Sequence, residues 1–483
     1  MISLAPYTAS AALDERRNSS LAVGAGALLS LFMLLGLRWP YLWLGVAAVI
    51  GVVGLLWAAR YTVKHPIWLA CAMLLIEVGA SLNFFDESVR PFLRYPLLFL
   101  FCLPVLPTLW RDPMALRGGF RLYLIYFALA LFSVTYSIAP FYSLGRVVGS
   151  VLLFGGVYTV SQNIKDEQDM RRLFGVLWVA CCVILAGVAA SWVLLPSDLA
   201  WQLPNQWSDD SVVRFVGFLN SSNQVGEVAL PTIATGMLFW KAATRRVRIA
   251  IAASIALAIL FAVMADSRSS LAAVVIGLVA LTFDRYRWRA AVAWLLLLAL
   301  AVGGASLLSP DRLEYLNRGD MMTLTGRTDI WRFTLSKIKE SPILGYGYEV
   351  EGQIFQDRHF PLRDKMWDQG PYIALHSGYL TRAAGLGVPS LLLWLFFILR
   401  PMVGIFRGVP DYFRIRDAIL IGALPVLLLN IDESAASDCR YTVGLLLTFV
   451  WCIAERSRLL AEDSRRLRGL AEGGLLAANA KGG

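Results

Sequence analysis

Charge is scarce in this sequence. Asp, Glu, Lys and Arg make up 16% of its 483 residues, where a water-soluble chain carries about a quarter, and that shortage excludes a soluble globular protein. Histidine is rarer still: three in the whole chain leave too few imidazoles for a His-built metal site. Six cysteines give no disulfide framework, because Cys71, Cys102, Cys181, Cys182 and Cys452 lie in apolar runs, only Cys439 lies outside one, and no Cys-x-x-Cys pair occurs. Residues 1–20 hold Arg16 and Arg17 but no small-residue exit site, so the first apolar run is expected to stay as a span. No internal repeat, low-complexity stretch or separate soluble domain is visible.

What is present is apolar. With 58% hydrophobic residues and a mean hydropathy of +0.61, the chain reads as an all-α polytopic membrane protein. Runs near the roughly 20 residues that cross a bilayer fall at 21–37, 41–59, 66–82, 92–109, 119–137, 144–163 and 172–194. More follow at 223–241, 247–265, 269–283, 289–308, 376–399, 415–431 and 440–455, giving about 12–14 spans. An even number keeps both termini on one side.

The net charge of +10 suits either a nucleic-acid binder or a membrane protein with basic cytoplasmic loops, and placement decides between them. Arg60 and Lys64, Arg111 and Arg117, Lys165 with Arg171 and Arg172, Arg245 with Arg246 and Arg248, Arg285 with Arg287 and Arg289, and Arg407 with Arg414 and Arg416 occupy alternate connections. Positive residues gather on the cytoplasmic side, so these loops and the basic tail at 456–483 are expected there, and nucleic acid is not an expected partner. The expected divisions are spans with short loops over 1–308, a large outer loop over 309–375, further spans over 376–455, then the tail.

The outer face then holds arginines that the positive-inside bias does not explain. Arg214 precedes the polar run Asn220-Ser221-Ser222-Asn223-Gln224, and a guanidinium fork there suits phosphate oxygens; snorkelling to ordinary headgroups is the alternative. Arg268 lies in the knot Ala265-Asp266-Ser267-Arg268, where Asp266 is either a plain salt-bridge partner or a neighbour of an anion site. Arg327 precedes an amphipathic pattern in which Thr328 and Asp329 cap a helix, Trp331, Leu335 and Ile338 share one face, and Ser341-Pro342 ends it. Gly345-Tyr346-Gly347-Tyr348 offers a tight turn whose rings anchor in the interface or stack on sugars. His376 opens the next apolar run, and a neutral imidazole is the usual acceptor of a hydroxyl proton near neutral pH; the alternative is an interfacial polar residue. Glu433 and Arg440 sit at the outer end of the penultimate connection, able to orient His376 or pair with an arginine, while Glu77 and Glu227 are intramembrane carboxylates.

Arg214, Gly217 and Asn220 at Arg-x-x-Gly-x-x-Asn spacing, Ser267-Arg268 after a long apolar run, Gly326-Arg327 with Trp331, Pro342, Gly345-Tyr346-Gly347, and His376-Ser377 ahead of Gly385-Leu386-Gly387 carry a resemblance. Together over roughly 210–435 they look like the O-antigen ligase (WaaL) and O-antigen polymerase superfamily, with the glycines after the histidine in a compressed form. The resemblance implies a metal-independent inner-membrane glycosyltransferase that needs no cofactor. It implies a glycan donor on undecaprenyl pyrophosphate, a lipid A-core acceptor and an active site facing the periplasm. It also implies His376, Arg268 and Arg214 as catalytic residues, with Arg327, Asn220, Trp331, Tyr346, Tyr348, Glu433 and Arg440 holding pyrophosphate or glycan. A polymerase or a protein O-oligosaccharyltransferase would use the same donor. A lipid-linked glycan transporter is the reading from another class, and it would place its ionisable residues near the bilayer midplane.

Overall fold

The structure is a computed structural model that describes residues 40–79, 90–196, 200–202, 214–219, 221–290, 292–297, 327–355, 375–431 and 442–481. The chain divides into two compact units, Met1–Lys64 and His65–Gly483. The first contributes helix α1 (Pro40–Lys64). In the second, α2 (Ile67–Gly79), α3 (Arg90–Cys102), α4 (Leu106–Arg111), α5 (Gly118–Ser133), α6 (Pro140–Gln162) and α7 (Glu167–Leu194) lead to a two-stranded ribbon, β1 (Trp201–Gln202) with β2 (Arg214–Phe215). Then come α8 (Ser222–Phe239), α9 (Arg245–Met264), α10 (Arg268–Tyr286), α11 (Arg327–Glu340), α12 (Glu351–Ile354) and α13 (Gly378–Phe406). A helix that starts as α14 (Arg416–Ala418) passes through a π turn (Ile419–Ala423) into α15 (Leu424–Leu429), and α16 (Thr442–Lys481) closes the chain.

The protein is a polytopic helical membrane protein: among the described residues α6, α7, α9, α10 and α13 are each long and apolar enough to cross a bilayer. Among the described residues, every apolar run expected between 66 and 283 contains a helix. The run at 21–37 and the second half of that at 289–308 lie outside the described residues.

α16 runs unbroken from Thr442 to Lys481, from the expected last span into the basic tail. No proline interrupts it, and Glu455, Arg458 and Glu462 pair one turn apart along it. The run expected at 376–399 is a helix that extends to Phe406 and is broken at Gly387, whose φ of 80° no right-handed helix allows. Pro389 follows two residues later, where it continues the second half as a helix start.

An aromatic core joins α5, α6, α13 and α16. The Tyr123 ring lies 4.3 Å from Phe154, 4.9 Å from Phe397 and 5.1 Å from Trp451. Trp451 Nε1 donates to the Phe397 carbonyl at 2.8 Å, which satisfies the one polar atom this indole brings into the core.

The two ends of the second unit differ in chemistry. At one end the basic connections are tied to carboxylates: Arg117 to Asp463 through two bonds of 2.9 and 2.7 Å, Arg285 to Asp417 at 2.6 Å, Arg416 to Asp284, and Arg414 to Glu167 at 3.1 Å. The opposite end carries the starts of α8, α10, α13 and α16 and the finish of α15. Gly226 on α8 lies so close to α10 that an added Cβ would stand 2.0 Å from Ser267 Oγ. Thr442 Oγ1 donates to the Glu227 carbonyl at 3.4 Å, and the Gly378 N–H donates to the Asn430 carbonyl at 3.0 Å. Among the described candidate residues, Arg214, Arg268 and His376 lie at this end.

Candidate functional site

Arg214 reaches the site on the β ribbon. Neighbouring residues of a strand point to opposite faces, so Phe215 turns into the protein, fully buried and stacked on Phe261 of α9 at 5.4 Å. Arg214 turns the other way, toward the end of that same helix. There its Nε lies 3.8 Å from Asp266 Oδ2. Arg268, the first residue of α10, approaches the other oxygen, with Nε 3.4 Å from Asp266 Oδ1. One carboxylate thus stands between two guanidiniums separated in sequence by 54 positions. The sequence pairs Asp266 with Arg268; the structure adds Arg214 to the same group.

His376 is held from both sides. The Leu375 carbonyl accepts from Trp331 Nε1 at 3.0 Å, and two residues past the histidine the Gly378 N–H reaches Asn430. A side chain at Gly378 would collide with Asn430 Oδ1, 1.9 Å from an added Cβ. Between these anchors His376 adopts φ 49°, a left-handed conformation that costs a non-glycine residue about 1 kcal/mol or more. Asp266 is also left-handed, with φ 51°. Candidate residues therefore account for two of the five non-glycine positive-φ positions among the described residues.

Arg327 is the first residue of α11, one helical turn before Trp331, which puts it at the end of α11 that meets Leu375. The buried face of α11 differs from the expected one. Ile330, Phe333, Thr334 and Ile338 are buried, and Leu335 is 49% exposed. Phe333 and Ile330 pack against Leu375, Ala383 and Ala384 and turn the helix about its axis, leaving Trp331 at the edge of the contact. The helix also begins at Arg327 itself, so Thr328 and Asp329 lie inside its first turn.

The two glycine motifs prove to be one structure. The break at Gly387, with Pro389 lacking an N–H, leaves the carbonyls of Ala384 and Gly385 without their intrahelical donors. The loop after α11 supplies replacements: Tyr346 N–H donates to Ala384 and Gly347 N–H to Gly385, both at 2.9 Å, while Val388 N–H donates back to Pro342 at 2.8 Å. Backbones this close exclude side chains, and an added Cβ would lie 2.5 Å from the Ala384 oxygen at Gly345 and 2.0 Å from the Ile343 oxygen at Gly387.

The same loop is fastened to the turn between α5 and α6. Ser133 Oγ accepts from the Tyr348 N–H and Ser143 Oγ donates to the Tyr348 carbonyl, both at 3.0 Å; Tyr136 donates to the Leu344 carbonyl at 2.8 Å. Tyr346 lies over α11, its hydroxyl 3.2 Å from the Lys337 carbonyl and 3.1 Å from Glu340 Oε2. Tyr348 corrects the sequence reading of a surface ring. It is 2% exposed, its hydroxyl is bonded to Ser150, and burial pushes that hydroxyl well above the usual tyrosine range, so it serves as a neutral core hydrogen-bonding group.

Sequence reasoning passed over Arg382. It is 4% exposed on α13, bonded to the Tyr126 hydroxyl, with its guanidinium 4.2 Å from the Trp394 ring centre. A straight helix would separate residues 382 and 394 by about 18 Å along its axis, so the break at Gly387 is what lets them meet. A lone arginine inside an apolar run was the available signal. Asn220, Glu433 and Arg440 lie outside the described residues.

Two guanidiniums around one carboxylate leave a net positive charge at the end of the helices where the strained His376 segment also lies. Such a place can receive an anion with at least two charges and can hold a hydroxyl for deprotonation. Among the described residues no group of three His, Cys, Asp or Glu side chains gathers at metal-binding distance. A family model described as O-antigen ligase matches residues 253–395. The match takes in Arg268, Arg327, Trp331, the glycine motifs and His376, and it begins after Arg214. Comparison with curated proteins gives no match.

Proposed function

We propose, from the O-antigen ligase domain that residues 253–395 of this membrane protein carry, that it transfers a glycan from undecaprenyl pyrophosphate to lipid A-core. In this reading the end of the helices holding Arg214, Arg268 and His376 faces the periplasm. The basic connections and both termini then face the cytoplasm, as the positive-inside bias favours. The observation that carries the reading is the meeting of Arg214 and Arg268 at Asp266, at the end of the fold where His376 also lies.

The reaction is a displacement at the anomeric carbon with inversion. The acceptor hydroxyl oxygen bonds to that carbon as the bond to the pyrophosphate oxygen breaks, and the hydroxyl proton passes to His376. Negative charge grows on the departing pyrophosphate. Guanidiniums at Arg214 and Arg268, with Arg327 at the end of α11 that meets Leu375, oppose that charge, each contributing on the order of 3 kcal/mol when well placed. His376 as base contributes about 10²–10⁴-fold. The loop clasped to α13 keeps Trp331 against Leu375, and so fixes the backbone from which the imidazole projects. Charge stabilisation by arginine alone makes the reaction independent of metal.

The deciding experiment reconstitutes the purified protein with undecaprenyl-pyrophosphate glycan and offers either lipid A-core or a second lipid-linked glycan. Transfer to lipid A-core supports the ligase reading. Elongation on the lipid carrier instead would make the protein a polymerase, and transfer to neither would sink both.

A further inference from the structure

Asp266 is the group in this cluster that the displacement itself does not use. Its contacts of 3.8 Å to Arg214 and 3.4 Å to Arg268 are longer than the about 2.7–2.9 Å of a tight charge-assisted bond. The side chains of Arg214, Asp266 and Arg268 are 28%, 25% and 50% exposed. Water screens the Arg268 contact, while Arg214 Nε is buried.

The backbone beneath the carboxylate is fixed. Asp266 N–H donates to the Val263 carbonyl at 3.0 Å, Ser267 N–H to Ala262 at 3.0 Å, and the Asp266 carbonyl accepts from Arg268 N–H at 3.1 Å. A short side chain on a fixed turn cannot travel with a ligand. The guanidiniums, on long side chains with several rotatable bonds, can. One stationary anion loosely shared by two movable cations is the arrangement of a substitute for a phosphate, which would bring more charge to the same place.

Resting on the pyrophosphate reading above, we propose that Asp266 is a positioning residue that stands in for the donor's phosphate. Before binding it keeps Arg214 and Arg268 together against their mutual repulsion. When the glycosidic bond has broken it takes them back, so that the lipid pyrophosphate can leave. Cleavage frees an ionisable oxygen, and the product therefore carries more negative charge than the donor did. Two arginines without a competing carboxylate would hold that product more firmly than they hold the substrate.

The test is Asp266→Asn. Asparagine keeps the shape and tolerates a left-handed backbone, so the turn survives while the charge is lost. Inorganic pyrophosphate is titrated calorimetrically into the full-length protein in lipid nanodiscs, as wild type, as Asp266→Asn and as the Arg214→Ala, Arg268→Ala double variant. Asp266→Asn is expected to bind pyrophosphate about fivefold more tightly than wild type, because both guanidiniums lose the competing carboxylate. Its steady-state turnover should fall more than its single-turnover rate, because release has slowed. Unchanged or weaker binding overturns the proposal, since a carboxylate that merely braces the structure weakens binding when removed. The double variant tests the underlying reading separately. If it binds pyrophosphate as wild type does, the arginines are not the anion site, whatever Asp266→Asn shows.

Discussion

The backbone N–H of Gly347 donates to the carbonyl of Gly385 at 2.9 Å, so the loop that follows α11 and the broken part of α13 share main-chain hydrogen bonds as two strands would. Gly387→Ala should damage this clasp more than any nearby change of side chain. It would place a Cβ 2.0 Å from the Ile343 oxygen on a backbone with φ 80°. A loss of about 3 kcal/mol or more is expected, measured as unfolding of the detergent-solubilised protein. Leu344→Ala, at a half-exposed side chain of the same loop, should cost well under half as much.

Trp331→Phe removes the Nε1 donor from the Leu375 carbonyl while keeping most of the ring's packing against the cluster around Leu375. The expected loss of stability is about 1 kcal/mol. Turnover should drop by roughly tenfold, the rate equivalent of about 1.4 kcal/mol, with the donor KM nearly unchanged. A steady-state transfer assay separates the two, and an altered KM with normal turnover would count against the link from Trp331 to His376.

His376→Ala is expected to lower the transfer rate by about 10²–10⁴-fold, and Arg268→Ala by about 10²-fold, with folded yield kept in both. Arg268→Lys should recover part of the rate, because lysine returns a charge but lacks the fork that meets two phosphate oxygens. Retention of most activity by His376→Ala or Arg268→Ala would remove that residue from the mechanism.

A chelator should leave the transfer rate of the purified protein unchanged, since the proposed mechanism assigns the pyrophosphate's charge to arginine side chains. A rate that collapses on chelation and returns with added divalent cation would reassign that role.

At the opposite end, Arg117 beside Asp463 holds that carboxyl below its ordinary value of 3.8. A depressed folded value means the pair stabilises the protein above the unfolded value and loses that contribution as pH falls through the folded one. Asp463→Asn should therefore lower the melting temperature slightly at pH 7, the pair being exposed. The gap from wild type should close as the pH is taken below the usual carboxylate range. A gap that persists in acid would assign the effect to packing of α16.

How much of this was legible depended on the residue. Arg214, Arg268, Arg327 and His376 stood out because charge is rare and the topological bias left the arginines unexplained, and the structure describes all four. That Asp266 serves two arginines was not legible, because nothing in a linear pattern brings β2 to the end of α9; stacking of Phe215 on Phe261 does that. Gly345-Tyr346-Gly347 and Gly385-Leu386-Gly387 were visible as motifs, yet their meeting was not, since hydrogen bonds between backbones leave no trace in side-chain chemistry. Tyr348 was misread for a related reason: alternating glycine and tyrosine looks like a surface turn until Ser133, Ser143 and Ser150 are seen to receive it. Period alone misplaced the buried face of α11 because Leu335 is as apolar as Ile338, and only the neighbour decides which is covered.

Arg382 gives the bend in α13 a mechanical character. To straighten, the helix would have to draw a guanidinium off the Trp394 ring and away from Tyr126, carrying a bare charge through hydrocarbon at a penalty of several kcal/mol. The helix behaves there as a welded elbow rather than a hinge. Whatever gives way to admit the substrates of the proposed reaction, it is not this joint, and the freedom must come from the segments around it.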